Sequence, residues 1–118
     1  MTIVVAFGGN ALWPRGSRGE PAEQIANARH ACAPLVDRLR DGARLLIVFG
    51  NGPQVGAELL RNHAALAEVA PAPLDVCVAA TQGSMGYLLE LALRTELARA
   101  GLDTPVTSVS TLVCVDPA

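Results

Sequence analysis

Lysine is missing altogether from this sequence: all nine basic residues among its 118 are arginine. Eleven acidic residues leave a formal net charge of -2, which removes the positive field that nucleic acid or an anionic membrane surface would require. Aromatic residues are equally scarce, at 3%, so an interior has to be assembled from Val, Leu, Ile and Ala. Only Cys32, Cys77 and Cys114 carry thiols. Their odd number and wide spacing fit neither a disulfide framework nor a paired metal-ligand motif. Each sits among apolar or small residues, which reads as three buried, reduced thiols. The N-terminus has no basic segment ahead of its apolar run, so Met1–Phe7 reads as a first strand and not as a signal peptide. No apolar run reads as long enough to span a bilayer, and the expected compartment is the cytoplasm. Internal repeats and low-complexity tracts are absent.

What is present fits one domain's worth of core, with 51% of residues apolar. Ile3–Phe7 is an unbroken apolar run ending at Gly8-Gly9, and Arg44–Phe49 repeats the plan before Gly50-Asn51-Gly52. Runs without polar alternation suit strands covered on both faces in a parallel sheet. Val106–Val115 predicts one or two further strands. Between them, Ile25, Ala28, Cys32, Leu35, Val36 and Leu39 recur on one helical face from Pro21 to about Asp41. Pro21 suits its first turn and Gly42 its C-terminal cap, whereas Pro34 predicts a kink or a split. A second helix is expected from Pro53, carrying Val55, Leu59 and Leu60. A third, from about Leu74 to Ala100, is reached through a flexible connection at Glu68–Pro73. Alternating strands and helices imply a three-layer α/β/α sandwich around a mainly parallel sheet.

The candidate site lies at two loops. Gly8-Gly9-Asn10 follows the first strand, and Gly50-Asn51-Gly52-Pro53 follows the second and opens a helix. Glycine lets the backbone approach a ligand closely, and unpaired N–H groups at a helix start favour an anion. In an open parallel sheet, loops at the carboxyl ends of the strands converge on one crevice. Either loop alone is ordinary turn chemistry; the pair predicts an oxyanion site, with Asn10 and Asn51 adding amide donors. Thr81 and Gln82 are placed at the edge of that cleft or, more simply, in a helix whose Gly83 and Gly86 pack closely on another helix, across a dimer interface for instance. His30 is expected to be solvated, His63 to pack at a helix end, and Glu90, Arg94 and Glu96 to form a solvated face. Arg15 and Arg18 read as exposed.

The ordered segments Phe7-Gly8-Gly9-Asn10-Ala11-Leu12, Arg18-Gly19-Glu20-Pro21, Gly50-Asn51-Gly52-Pro53-Gln54-Val55-Gly56, Pro73-Leu74-Asp75-Val76-Cys77, Thr81-Gln82-Gly83-Ser84-Met85-Gly86-Tyr87 and Val113-Cys114-Val115-Asp116-Pro117 resemble consecutive motifs of the carbamate kinases. These are members of the amino-acid kinase superfamily. The resemblance runs from end to end of the chain. It implies an amino-acid-kinase-like fold of which residues 1–118 form a single N-terminal, carbamoyl-phosphate-side portion, apparently truncated, with the nucleotide-binding half absent. It also implies reversible phosphoryl transfer between carbamoyl phosphate and ADP, giving ATP and carbamate, with Mg2+ accompanying the nucleotide. Under that resemblance Gly8, Gly9 and Asn10 would bind phosphoryl oxygens and Gly50, Asn51 and Gly52 the carbamate side, with Gln54, Thr81 and Gln82 supporting them from behind. No metal ligand is assigned within the chain. The lysines that similar enzymes direct at the phosphoryl group have no counterpart here, so the isolated chain is expected to be inactive. Phe49 stands where family members commonly have histidine, and Trp13–Ser17 makes a longer link than usual. The resemblance further suggests a homodimer built on the helix over residues 74–100 and a role in arginine catabolism. Two alternatives stand beside it: a related amino-acid kinase with another small acid or phosphate substrate, and a truncated, non-catalytic protein that binds anions or partners.

Overall fold

The structure, a computed structural model, describes residues 1–116. Strand β1 (Thr2–Phe7) leads through a short 3-10 turn (Gly9–Ala11) and a loop to helix α1 (Pro21–Arg40). Strand β2 (Arg44–Phe49) and helices α2 (Gly52–Ala64) and α3 (Leu74–Arg99) follow. The two strands pair in parallel, with Thr2 opposite Arg44 and Phe7 opposite Phe49. The α/β class and the parallel sheet expected from the apolar runs are therefore present.

Helix boundaries follow the local chemistry. Pro21 occupies the first turn of α1, where its missing N–H would have had no partner. Gly42 (φ 83°) and Gly101 (φ 69°) take the left-handed conformation just past the ends of α1 and α3, as a helix stop requires. Pro34 does not split α1, which runs unbroken through it. The residue is exposed, so the His30 carbonyl that loses its helical donor can turn to water.

Helix α3 is the hub of the interior. Met85, Leu89, Ala92, Leu93 and Leu97 pack with Ala28, Cys32 and Val36 of α1 and with Leu12, and Phe7, Ile47 and Phe49 close the cluster from the sheet. Burying side chains of this size stabilises by about 1.5–3 kcal/mol each. By length and composition α3 is apolar enough to cross a membrane, which the reading of the apolar runs did not anticipate. Eight of its residues are nonetheless buried against the rest of the chain, so it serves as the core helix. Glu96 is not part of a solvated face. It reaches α1 and pairs with Arg29 at 2.7 Å, its side chain only 15% exposed.

Other expectations change. Val106–Val115 forms no strand: among the described residues the sheet has two strands only, because the extended segment finds no backbone partner. Val4, Leu46 and Val48 of the sheet are exposed. Leu59 and Leu60 of α2 face outward, and His63 is exposed instead of packed. Cys32 and Cys77 are buried but Cys114 is exposed.

Candidate anion site at two strand tips

Because β1 and β2 are adjacent, parallel and in register, their carboxyl ends deliver Gly8-Gly9-Asn10 and Gly50-Asn51-Gly52 to the same edge of the sheet. The two tips are in direct contact. Gly50 N donates to Phe7 O at 3.0 Å, and the Gln54 amide, 5% exposed, donates through Nε2 to Gly9 O at 3.3 Å. Gly9 is packed so tightly that a Cβ there would lie 2.7 Å from Pro53 Cδ, 2.9 Å from Gln54 Oε1 and 3.2 Å from Gly50 O. A side chain at Gly8, Gly50 or Gly52 would meet nothing within 4 Å. Gly9 therefore faces inward and locks the loops together, while Gly8, Gly50 and Gly52 line the open side. The amides of Gly52 and Gln54 lie in the first turn of α2, where no intrahelical acceptor is within reach and the helix dipole favours an anion. Asn10 is exposed beside them.

The supporting residues are tied down more firmly than the sequence suggested. Asn51 directs its side-chain amide into α3, donating to Val78 O at 3.1 Å and to Thr81 Oγ1 at 2.8 Å. Both amide hydrogens are thereby engaged, leaving Asn51 its main chain and its Oδ1 for any further contact. Thr81, almost fully buried, donates in turn to Cys77 O or Val78 O. Gln82 turns to the C-terminal segment, where Oε1 accepts from Thr111 N at 3.0 Å and Nε2 donates to Thr111 O at 3.4 Å. Gly86 packs against Ser108, whose Oγ would be 2.0 Å from a Cβ there. Its closeness thus serves an extended segment and not the second helix anticipated, and Gly83 has open space around it. Phe49 points its ring at the same notch, 3.7 Å from that Cβ position, an apolar use of the position.

Several contacts had no signal in the sequence. Asn62 accepts from Ala72 N at 2.7 Å and so pins the loop between α2 and α3. Trp13 donates through Nε1 to Ser17 O and lies flat on Gly19, which orders the long link before α1, and Ser17 Oγ donates to Glu23. Arg15 and Arg18 are exposed, as is His30. Among the described residues no three His, Cys, Asp or Glu side chains gather as a metal site would require. Burial, with the nearby Glu96 carboxylate adding to it, pushes the Cys32 thiol up to about 11, which keeps it neutral and unreactive.

A parallel α/β sheet with two fused glycine tips at adjacent strand ends defines an α/β fold with a candidate anion-binding crevice. No family model matches the chain. It is 47% identical over 117 residues to carbamate kinase 1 of Enterococcus faecium, covering 98% of this chain and 37% of that protein. It is 46% identical over 118 residues to the carbamate kinase of Trichomonas vaginalis, covering 99% and 38%. The solved structure of carbamate kinase from Giardia lamblia bound to AMP-PNP superposes with a TM-score of 0.92 at 33% identity, over 98% of this chain and 41% of that one. Over nearly its whole length the chain is similar to the N-terminal portion of carbamate kinases. It spans somewhat over a third of the length of the curated relatives it matches.

Proposed function

We propose that this chain carries the small-acid side of a carbamate kinase, holding carbamoyl phosphate for transfer of its phosphoryl group to ADP. In that reaction the bond from phosphorus to the carbamoyl oxygen breaks, a bond to the terminal oxygen of ADP forms, and carbamate leaves. The observation that carries the reading is the fusion of the two glycine tips through Gln54 and Gly9, with Gly8, Gly50 and Gly52 left facing open space. Phosphoryl transfer needs positioning and charge stabilisation more than covalent help. Main-chain amides of Gly8, Gly9 and Asn10 would hold phosphoryl oxygens, and those of Gly50, Asn51 and Gly52 the carbamate end. Gln54 and Thr81 would keep the tips in place. Gln82 would brace the C-terminal segment through its hydrogen bonds to Thr111.

With no lysine among its 118 residues, the chain lacks the cations that would neutralise the transferring group, and we assign it binding without turnover when alone. ADP or ATP with Mg2+ would be held by the remaining part of a full-length kinase. The apolar residues that α3 exposes, Val76, Tyr87 and Leu91, are the proposed homodimer surface, and the cytoplasm the proposed compartment. The test is a chimera in which this chain replaces the matching portion of Enterococcus faecium carbamate kinase 1, assayed for ATP formation from ADP. Turnover with carbamoyl phosphate well above that with acetyl phosphate is expected. Equal rates would favour a kinase for another small acid, and a folded but inactive chimera would refute the assignment.

A further inference from the structure

Gly9 O accepts more hydrogen bonds than the two lone pairs of a carbonyl require. Leu12 N and Trp13 N reach it from the turn that follows, the second at 3.1 Å. Gln54 Nε2 reaches it from α2 at 3.3 Å. The two main-chain donors already satisfy the oxygen without Gln54. The other end of the same amide is worse placed. Gln54 is 5% exposed, and its Oε1 is buried with no hydrogen-bond partner among the described residues. A buried acceptor without a donor costs at least as much stability as an ordinary hydrogen bond contributes. The two ends of the amide therefore offset one another, and an apolar side chain of the same length would hold the fold as well. A buried polar group that brings no net stability marks a place of function.

What the extra donor can do lies at the far end of the peptide it touches. The peptide bonds are trans, so Gly9 O and the Asn10 N–H point in opposite directions within one plane. Leu12 and Trp13 belong to the same short turn as that plane and move with it, whereas Gln54 ties the plane to α2. With Gly9 O held toward buried Gln54, the Asn10 N–H is aimed away from the interior, on the side where Asn10 is exposed. Each bond onto the carbonyl also polarises the peptide and strengthens its N–H as a donor, by about 10–30% per bond.

We propose that Gln54 is a positioning residue for phosphoryl transfer: through Gly9 O it fixes and polarises the Gly9–Asn10 peptide, so that the Asn10 N–H meets a phosphoryl oxygen as charge develops there. The inference rests on the reading of the two tips as the carbamoyl-phosphate side of a kinase. Gln54 itself touches no substrate, and no proton passes through it. The phosphorus–oxygen bond to the carbamoyl group breaks and the one to ADP forms without any atom of Gln54 entering either. A donor aimed in advance acts on the transition state more than on the bound substrate, so its misplacement falls on kcat and not on KM.

The test is Gln54→Met, with Gln54→Leu beside it, in the chimera with Enterococcus faecium carbamate kinase 1. Methionine keeps the length and the apolar stem and removes both polar atoms of the amide. The urea midpoint should stay or rise in at least one of the two variants. In the ATP-forming assay kcat should fall about tenfold or more, while KM for carbamoyl phosphate stays within about threefold. In this chain, labelled with 15N, the Asn10 amide proton should move upfield in Gln54→Met as its peptide loses polarisation. Unchanged kcat, a rise in KM alone, or an unmoved Asn10 amide overturns the proposal. So does a marked loss of stability in both variants, since Gln54 would then be a strut. An unaltered chimera that forms no ATP from carbamoyl phosphate overturns the reading of the site itself, and this proposal with it.

Discussion

Replacing Gly9 and Gly8 by alanine, one at a time, separates the two duties assigned to the first glycine tip. At Gly9 a methyl group would sit 2.7 Å from Pro53 Cδ and 3.2 Å from Gly50 O, a ring atom and a backbone atom that cannot swing aside. Overpacking of this kind costs about 1–3 kcal/mol. Displacing the tip also strains the Gln54–Gly9 bond, worth about 1 kcal/mol. A total near 3 kcal/mol lowers the melting temperature of a chain of this size by roughly 10 °C. At Gly8 (φ −73°, ψ 153°) alanine meets nothing within 4 Å and adopts that backbone without strain. Stability should hold or rise by up to about 1 kcal/mol, while the methyl group enters the space proposed for the phosphoryl oxygens. Circular-dichroism melts, with calorimetric titration of carbamoyl phosphate, give both readouts. The expected pattern is a large loss of stability for Gly9→Ala, and a lost binding signal with intact stability for Gly8→Ala. A stable Gly9→Ala chain, or a Gly8→Ala chain that binds normally, would refute the division of labour.

Asn51→Ala removes two hydrogen bonds to α3, so urea denaturation should show a loss of about 1–2 kcal/mol; an unchanged midpoint would mean that the amide is not a strut. The Cys32 thiol is held neutral up to about pH 11, whereas in the unfolded chain it ionises near its ordinary value. The unfolded state therefore sheds its proton first, and the Cys32 contribution to stability is fully present below pH 9 and is lost as pH rises from about 9 to 11. The stability difference between the parent and Cys32→Ala should shrink over that window in denaturant titrations, and a pH-independent difference would count against a buried neutral thiol.

Much of the fold was readable because its signals are local. Unbroken apolar runs marked β1 and β2, and the positions of Pro21, Gly42 and Gly101 bounded α1 and closed α3. Pro34 misled because a proline's effect on a helix depends on which side it faces, and that is fixed by tertiary packing. Val106–Val115 misled because composition reports the preference for an extended backbone, while a strand also needs a neighbour. The positions of the site glycines were legible, but the direction each one faces was not. Only coordinates distinguish Gly9, turned inward, from Gly8, turned outward, and only they reveal that Asn51 and Gln82 spend their amides on α3 and Thr111.

The two-way bond between the Gln82 side chain and the Thr111 main chain sets the alignment of the segment after α3 against that helix. A slide by one residue would carry Ser110 or Leu112 into the clamp and turn every side chain along the segment to the opposite face. With Ser108 lodged at Gly86 as a second reference point, the helix acts as a ruler that fixes which residues of the segment face it.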